Sequence, residues 1–179
     1  MLEVANTVLI VIDVQEKLAR VMQERDIMVS NLQKLIKGIA VLEVPVIVTE
    51  QYPRGLGPTI PEIAALLNNV PTIPKTSFSC WGDERFLGQF KSLGRKQVLI
   101  SGIEGHVCVY QTARDLVANG YETFAVTDTI TSRTQENRRL SFEMMKQAGA
   151  RLTGTEAALF ELLKVAEGEK FKQISQIVK

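Results

Sequence analysis

The chain is poor in the residues that metal sites and catalytic triads most often use. Its 179 residues include one histidine, His106, two cysteines, Cys80 and Cys108, and one tryptophan, Trp81. One imidazole cannot build a zinc site of several histidines, and two thiols cannot form a four-thiolate site. Neither a metal nor a cofactor is therefore expected. A Ser-His-Asp triad would have to rest on His106 alone. GxSxG, a P-loop and GxGxxG are all missing, which disfavours serine hydrolases, nucleotide hydrolases and dinucleotide-binding enzymes. Two cysteines are too few for a disulfide framework and fit a reduced, cytoplasmic setting. The net charge of +1 leaves no field to draw in nucleic acid or an anionic membrane. No apolar run reaches the roughly 18 residues of a bilayer span. The opening Met1-Leu2-Glu3-Val4-Ala5-Asn6 has neither the basic region nor the cleavage site of a signal peptide.

What is present is an ordinary globular composition, 45% hydrophobic and 23% charged. One domain over residues 1–179 is expected, with a core at about 7–163 and a helical tail at about 169–179. Thr7 to Asp13 is a continuous apolar run closed by a carboxylate, as in a central parallel strand covered on both faces. Further strands are predicted at 45–50, 70–74, 97–101, 122–128 and 150–152. A helix capped by Asp26 should bury Ile27, Leu32, Leu35, Ile36 and Ile39. Other helices are predicted at 61–67, 83–93, from near Cys108, at 135–148 and at 155–163. This alternation implies an α/β three-layer αβα sandwich around a mostly parallel sheet of about six strands. The tail carries Phe171, Ile174, Ile177 and Val178 at near-helical spacing, fitting either its own domain or an oligomer contact.

Ligands of such folds bind beyond the carboxyl ends of the strands, at a topological switch point. Asp13, Glu50, Lys75, Asp128 and the loop before Cys108 all fall at or just past predicted strand ends. Cys108 follows Gly102-Ile103-Glu104-Gly105-His106-Val107, where a strand turns into a helix. Backbone N–H groups and a helix dipole at that place should lower the thiol pKa. The competing reading is a small buried hydrophobe in the first turn of a core helix. A nucleophilic thiol needs a base, which Asp13 can supply. Lys75 can stabilise both anions, and N–H groups around Glu104 to Cys108 can hold an acyl oxyanion.

These residues resemble the isochorismatase-like cysteine hydrolase family, over about residues 7–163. Val11-Ile12-Asp13-Val14-Gln15 is similar to the family's first-strand motif, Pro74-Lys75-Thr76-Ser77-Phe78-Ser79 to its lysine segment, and Gly102 to Val109 to its nucleophile loop. The resemblance implies an Asp-Lys-Cys triad on Asp13, Lys75 and Cys108. It also implies a non-proline cis peptide at Ile103–Glu104 that aims N–H groups at the oxyanion. Thr49 to Gly57 and Gly102 to Cys108 look most like the isochorismatase-domain-containing proteins and their bacterial relatives, a branch poorly defined in substrate. Nicotinamidases of the family bind a metal through an Asp and histidines after the second strand. Here Thr49-Glu50-Gln51-Tyr52 holds no histidine, which speaks against that chemistry. Isochorismatases proper cleave a vinyl ether and need no cysteine, so Cys108 argues for hydrolysis of a small-molecule amide or related C–N bond.

Five further residues are substrate-side candidates, each with a structural alternative. Gln15 can touch substrate or hydrogen-bond Asp13. His106 can contact substrate or pack and cap locally. Phe78 and Trp81 can wall a pocket or anchor their loop, and Tyr52 is a similar case. Cys80 reads as a bystander, with a disulfide to Cys108 left open. Two other functions compete. An aspartate-nucleophile phosphatase would want an acid, not Gln15, two residues after Asp13. A non-catalytic α/β homo-oligomer would serve as an interaction module or thiol redox sensor.

Overall fold

The computed structural model describes residues 1–179. Six strands form one parallel sheet: β1 (Thr7–Ile12), β2 (Val46–Gln51), β3 (Thr72–Lys75), β4 (Gln97–Gly102), β5 (Glu122–Ile130) and β6 (Arg151–Thr153). Their spatial order is β3-β2-β1-β4-β5-β6, and every pairing is parallel. Nine α-helices connect and cover them: α1 (Glu16–Ala19), α2 (Arg25–Val41), α3 (Pro53–Leu56), α4 (Pro61–Ala64), α5 (Glu84–Ser92), α6 (Tyr110–Ala118), α7 (Gln135–Gln147), α8 (Thr155–Leu163) and α9 (Gly168–Val178). The expected αβα sandwich is the observed one. No helix is long and apolar enough to cross a membrane.

The apolar run of β1 follows from the two layers that cover it. Side chains of a strand alternate between faces. Leu9 and Val11 join one core with Leu32, Leu35 and Ile39 of α2 and Leu159 of α8. Val8, Ile10 and Ile12 join the other with Phe86 and Phe90 of α5, Leu116 of α6 and Met145 of α7. Each fully buried side chain of this kind stabilises the fold by roughly 1.5–3 kcal/mol. Helix starts are fixed locally. Asp83 accepts from the N–H groups of Arg85 (3.0 Å) and Phe86 (3.2 Å) to begin α5, and Thr134 accepts from Asn137 N–H (3.1 Å) to begin α7.

Two expectations for the first long helix are corrected. Glu24, at φ 49°, precedes α2, and Asp26 sits in its first turn rather than capping it. Ile27 is 62% exposed. The buried row is Met28, Leu32, Leu35 and Ile39, at i, i+4, i+7 and i+11, and Ile27 stands beside that row. The tail takes the intramolecular alternative: α9 packs on α2 and α8, burying Ile174 completely. Lys34 Nζ donates to the Val178 carbonyl at 3.0 Å, tying down its last turn.

Candidate active site

In this strand order the connection reverses direction between β1 and β4, and the carboxyl ends of those strands flank the switch point. Asp13 follows β1, and the Cys108 turn follows β4. Gly102 lets the two ends approach. Its φ is +118°, and a Cβ there would lie 2.1 Å from the Ile12 carbonyl oxygen, so no other residue fits. Asp13 itself adopts φ 52°, a left-handed conformation that Asp and Asn tolerate better than most residues. Its backbone is held there by hydrogen bonds from Asp13 N–H to Thr49 O (3.1 Å) and from Gln15 N–H to Asp13 O (2.7 Å).

The Asp13 carboxylate is fully buried and has one partner on each oxygen. Oδ2 meets Lys75 Nζ at 2.7 Å, and Oδ1 accepts from Thr49 Oγ1 at 2.8 Å. Lys75 ends β3 and is 1% exposed. Beyond Asp13, its ammonium reaches Gln51 Oε1 at 2.7 Å and the carbonyls of Ser77 and Phe78 at 3.2 Å each. Burial works most strongly against the charge of Lys75. Asp13 and the two nearby thiols outweigh it and leave the ammonium pKa raised.

Cys108 lies in a π-helical turn, Gly105–Val109, that runs into α6, and it is buried. Asp13 and Cys108 come from the two strand ends that Gly102 brings together, and the Asp13 charge acts on the Cys108 thiol. The expectation of a lowered thiol pKa is overturned. Burial, and then the negative charge of Asp13, push Cys108 well above the ordinary thiol range, against the weaker pull of Lys75. The sequence position suggested an electropositive helix start, whereas the sulfur sits inside the core beside a carboxylate. It therefore rests as a neutral thiol at pH 7.

The Ile103–Glu104 peptide is cis. Ile103 N–H donates to Ile12 O at 3.0 Å, Gly105 N–H to Thr131 O at 2.9 Å, and Val107 and Val109 N–H to Glu104 O at 3.1 and 3.3 Å. The Ile103 amide is thus engaged within the fold, whereas those of Glu104 and His106 make no main-chain bond. The Glu104 carboxylate accepts from Arg133 Nε at 2.8 Å.

The secondary candidates divide. The Gln15 side chain makes no hydrogen bond to the Asp13 carboxylate; only its main-chain N–H reaches Asp13 O. It is fully buried, donates to Gln51 O (3.0 Å) and Gly57 O (2.7 Å), and accepts from Gln51 N–H (2.7 Å), so it clamps the loop after β2. Trp81 takes the anchoring role, edge-on to Phe90 and Tyr121 at 6.3 and 5.8 Å between ring centroids. His106 Nδ1 lies 3.1 Å from Ser132 Oγ. Tyr52 and Phe78 are 56% and 54% exposed and remain open to a ligand. Glu50 accepts from Thr59 N–H and Oγ1 at 2.7 and 2.8 Å, closing the 51–59 loop. Asp128 lies within β5, which runs on to Ile130, and accepts from Thr155 N–H at the start of α8 (3.0 and 3.1 Å). Neither acid joins the Asp13 cluster.

Three residues near the centre escaped the sequence reading. Thr49 and Gln51 lie on β2, and only the β1–β2–β3 register places them beside Asp13 and Lys75. Cys80 is no remote bystander. Its Sγ lies 3.8 Å from Thr49 Oγ1, and burial pushes it up to about 11 against the pull of Lys75. Both cysteines are free thiols. Their only sequence signal was the residue types themselves.

The fold is that of the isochorismatase-like α/β proteins. The Isochorismatase domain model matches residues 7–157, and the chain belongs to that family. Isochorismatase domain-containing protein 2 of Danio rerio is 36% identical over 178 residues, covering 99% of this chain and 89% of that relative. A solved MAR1 ribonuclease from Caenorhabditis elegans superposes with a TM-score of 0.92 at 36% identity, covering 99% of this chain and 91% of the other. The YcaC gene product of Escherichia coli, described as an octameric hydrolase of unknown specificity, superposes with a TM-score of 0.93 at 26% identity, covering 98% and 88%.

Proposed function

We propose that the protein is a cysteine hydrolase of small-molecule amides or related C–N bonds, with Cys108 as nucleophile, Asp13 as base and Lys75 as the cation paired with Asp13. The observation that carries this reading is the fully buried Asp13–Lys75 pair at the strand switch point that the Cys108 turn also flanks. Burying such a pair is costly, and that cost is hard to explain by stability alone. The resting thiol is neutral, so the thiolate forms only as the bond to carbon forms. Asp13 takes the thiol proton as sulfur attacks the carbonyl carbon. The amide N–H groups of Glu104 and His106 are free to hold the oxyanion. The C–N bond then breaks, the leaving nitrogen receives the proton from Asp13, and a thioester remains on Cys108. Water, deprotonated by Asp13, attacks that thioester, and the proton returns to the sulfur as the acid leaves.

On this reading residues 1–179 act as one domain, and Tyr52 and Phe78 are the side chains available to contact substrate. Assembly into a homo-oligomer is supported by the octameric Escherichia coli relative. The test is turnover on a panel of primary amides and carbamates, followed by release of ammonia or amine. Cys108→Ala is expected to abolish turnover and Cys80→Ala to retain it within a few-fold. Hydrolysis that survives in Cys108→Ala overturns the assignment.

A further inference from the structure

We infer that Gln51 is a positioning residue for this site: its neutral side-chain amide holds the Lys75 ammonium in line with Asp13. The inference rests on the catalytic reading above and adds a member that neither the motifs nor the charge pattern marks. Gln51 stands opposite Lys75 in the β2–β3 register, at the last residue of both strands. Its amide is fixed at both ends. Oε1 accepts from Lys75 Nζ at 2.7 Å, and Nε2 donates to Thr76 O at 2.7 Å. The oxygen must face the ammonium and the nitrogen must face the carbonyl, so the pair of bonds also sets the amide's orientation. The main chain of Gln51 is held in turn by Gln15, which takes its N–H (2.7 Å) and donates to its carbonyl (3.0 Å). Tyr52 N–H donates to Lys75 O at 2.9 Å, locking the two strand ends together.

An ammonium has three hydrogens, and Lys75 has four acceptors around it. None is left for a substrate, so Lys75 acts through Asp13, and its placement depends on what surrounds it. Two of the four acceptors are main-chain carbonyls of its own loop. Gln51 is the one acceptor that comes from a different strand and is not charged. A carboxylate at this place could accept from Lys75 but has no hydrogen for Thr76 O. It would also compete with Asp13 for the same cation. The charged and titratable groups facing Asp13 are Lys75 from β3, Cys80 from the turn after β3, and Cys108 from the turn after β4. Thr49 from β2 is neutral. The nearby acid Glu50 is turned toward Thr59, and Glu104 toward Arg133. A second anion at position 51 would therefore be the only new charge on the cluster.

The probe is iodoacetamide, read as the rate of Cys108 alkylation by mass spectrometry between pH 6 and 10, in a Cys80→Ala background. Gln51→Glu is expected to slow alkylation at pH 8 about tenfold, moving the pH at which a fixed reference rate is reached up by about one unit. Gln51→Met removes the acceptor and is expected to slow it by roughly 10- to 100-fold through misplaced charge. Thr59→Val, which removes the Thr59 Oγ1–Glu50 bond that closes the same loop, is expected to lower the melting temperature and leave the alkylation profile unchanged. Should both Gln51 variants fold and alkylate within about twofold of the background, the inference is overturned. It is equally overturned if Thr59→Val shifts the profile as far as they do, since Gln51 would then matter only as part of the loop. The hydrolase reading fails on a different result, amide turnover that survives in Cys108→Ala, so the two failures are distinguishable.

Discussion

The two ends of the sheet each bury a polar network, and the contrast between them separates structure from chemistry. At the amino-terminal end Gln97 opens β4 opposite Thr7 of β1. Its Oε1 accepts from Glu3 N–H (2.8 Å) and Thr7 Oγ1 (3.2 Å), and its Nε2 donates to Met1 O (2.8 Å). Arg95 closes the same corner, donating to the carbonyls of Val4 and Thr7. The buried members are neutral and serve the main chain, and no nucleophile is present. At the carboxyl-terminal end the buried members are an acid, an ammonium and two thiols, built around a left-handed Asp13. The central groups of both networks, Gln97 in the first and Asp13 and Lys75 in the second, find hydrogen-bond partners. Only the second holds a fully buried ion pair beside thiols whose protons can move, and such features cluster where function is stored.

That contrast can be broken in stages. The largest effect is expected from Asp13→Asn: loss of acyl turnover on the order of 1,000-fold or more, with the variant still folded by circular dichroism. Turnover within tenfold of the parent would remove Asp13 from the mechanism. Next is Lys75→Met, which leaves Asp13 buried without its cation and should cost roughly 3–5 kcal/mol in urea unfolding. The double variant Lys75→Met/Asp13→Leu should recover part of that loss, and a double variant less stable than the single would contradict the pairing. At the opposite end, Gln97→Leu strands the Glu3 N–H and the Met1 carbonyl. It should cost about 1–3 kcal/mol with turnover unchanged, and a matching loss of turnover would erase the distinction between the two ends.

The smallest effect is in alkaline stability. Cys80 is raised from 9.0 to about 11 in the folded chain, so above pH 9 the unfolded chain sheds a proton that the folded chain keeps. Stability then falls as pH rises, by about 1.4 kcal/mol per pH unit for each such group. Cys108, also raised, adds to the slope. Lys75, raised from 10.5, contributes stability that is present below that value and is lost as pH climbs through its folded pKa. Urea titrations between pH 8 and 10.5 should show a shallower fall in Cys80→Ala than in the parent. Identical slopes would mean that the Cys80 thiol is not held in its neutral form.

The legibility of the two ends in the sequence was unequal, and for a physical reason. The strands and long helices could be read because periodicity reports burial: the unbroken run of β1 and the spacing of α2 each name a covered face. Asp13, Lys75 and Cys108 stood out because chemistry-bearing residues fell at predicted strand ends. Gln51, Thr49 and the loop clamp of Gln15 did not, because a hydrogen bond across strands depends on register, which no local pattern encodes. The thiol pKa was misjudged for a related reason. Position in the chain suggested a helix start, whereas burial and the carboxylate beside it come from residues about 95 positions away, on β1. Ile27 and Asp128 show the same limit on a smaller scale, since one residue of phase or strand length changed what each touches.

The central claim is that Cys108 carries the acyl group between two half-reactions. Rapid-quench mass spectrometry of the intact protein, with a turned-over amide from the panel, tests it most directly. The account predicts a transient mass increase equal to the acyl group, located on Cys108, that forms and decays at rates matching turnover and is absent in Cys108→Ala. Steady turnover with no adduct on Cys108 at any quench time, retained in Cys108→Ala, would contradict it.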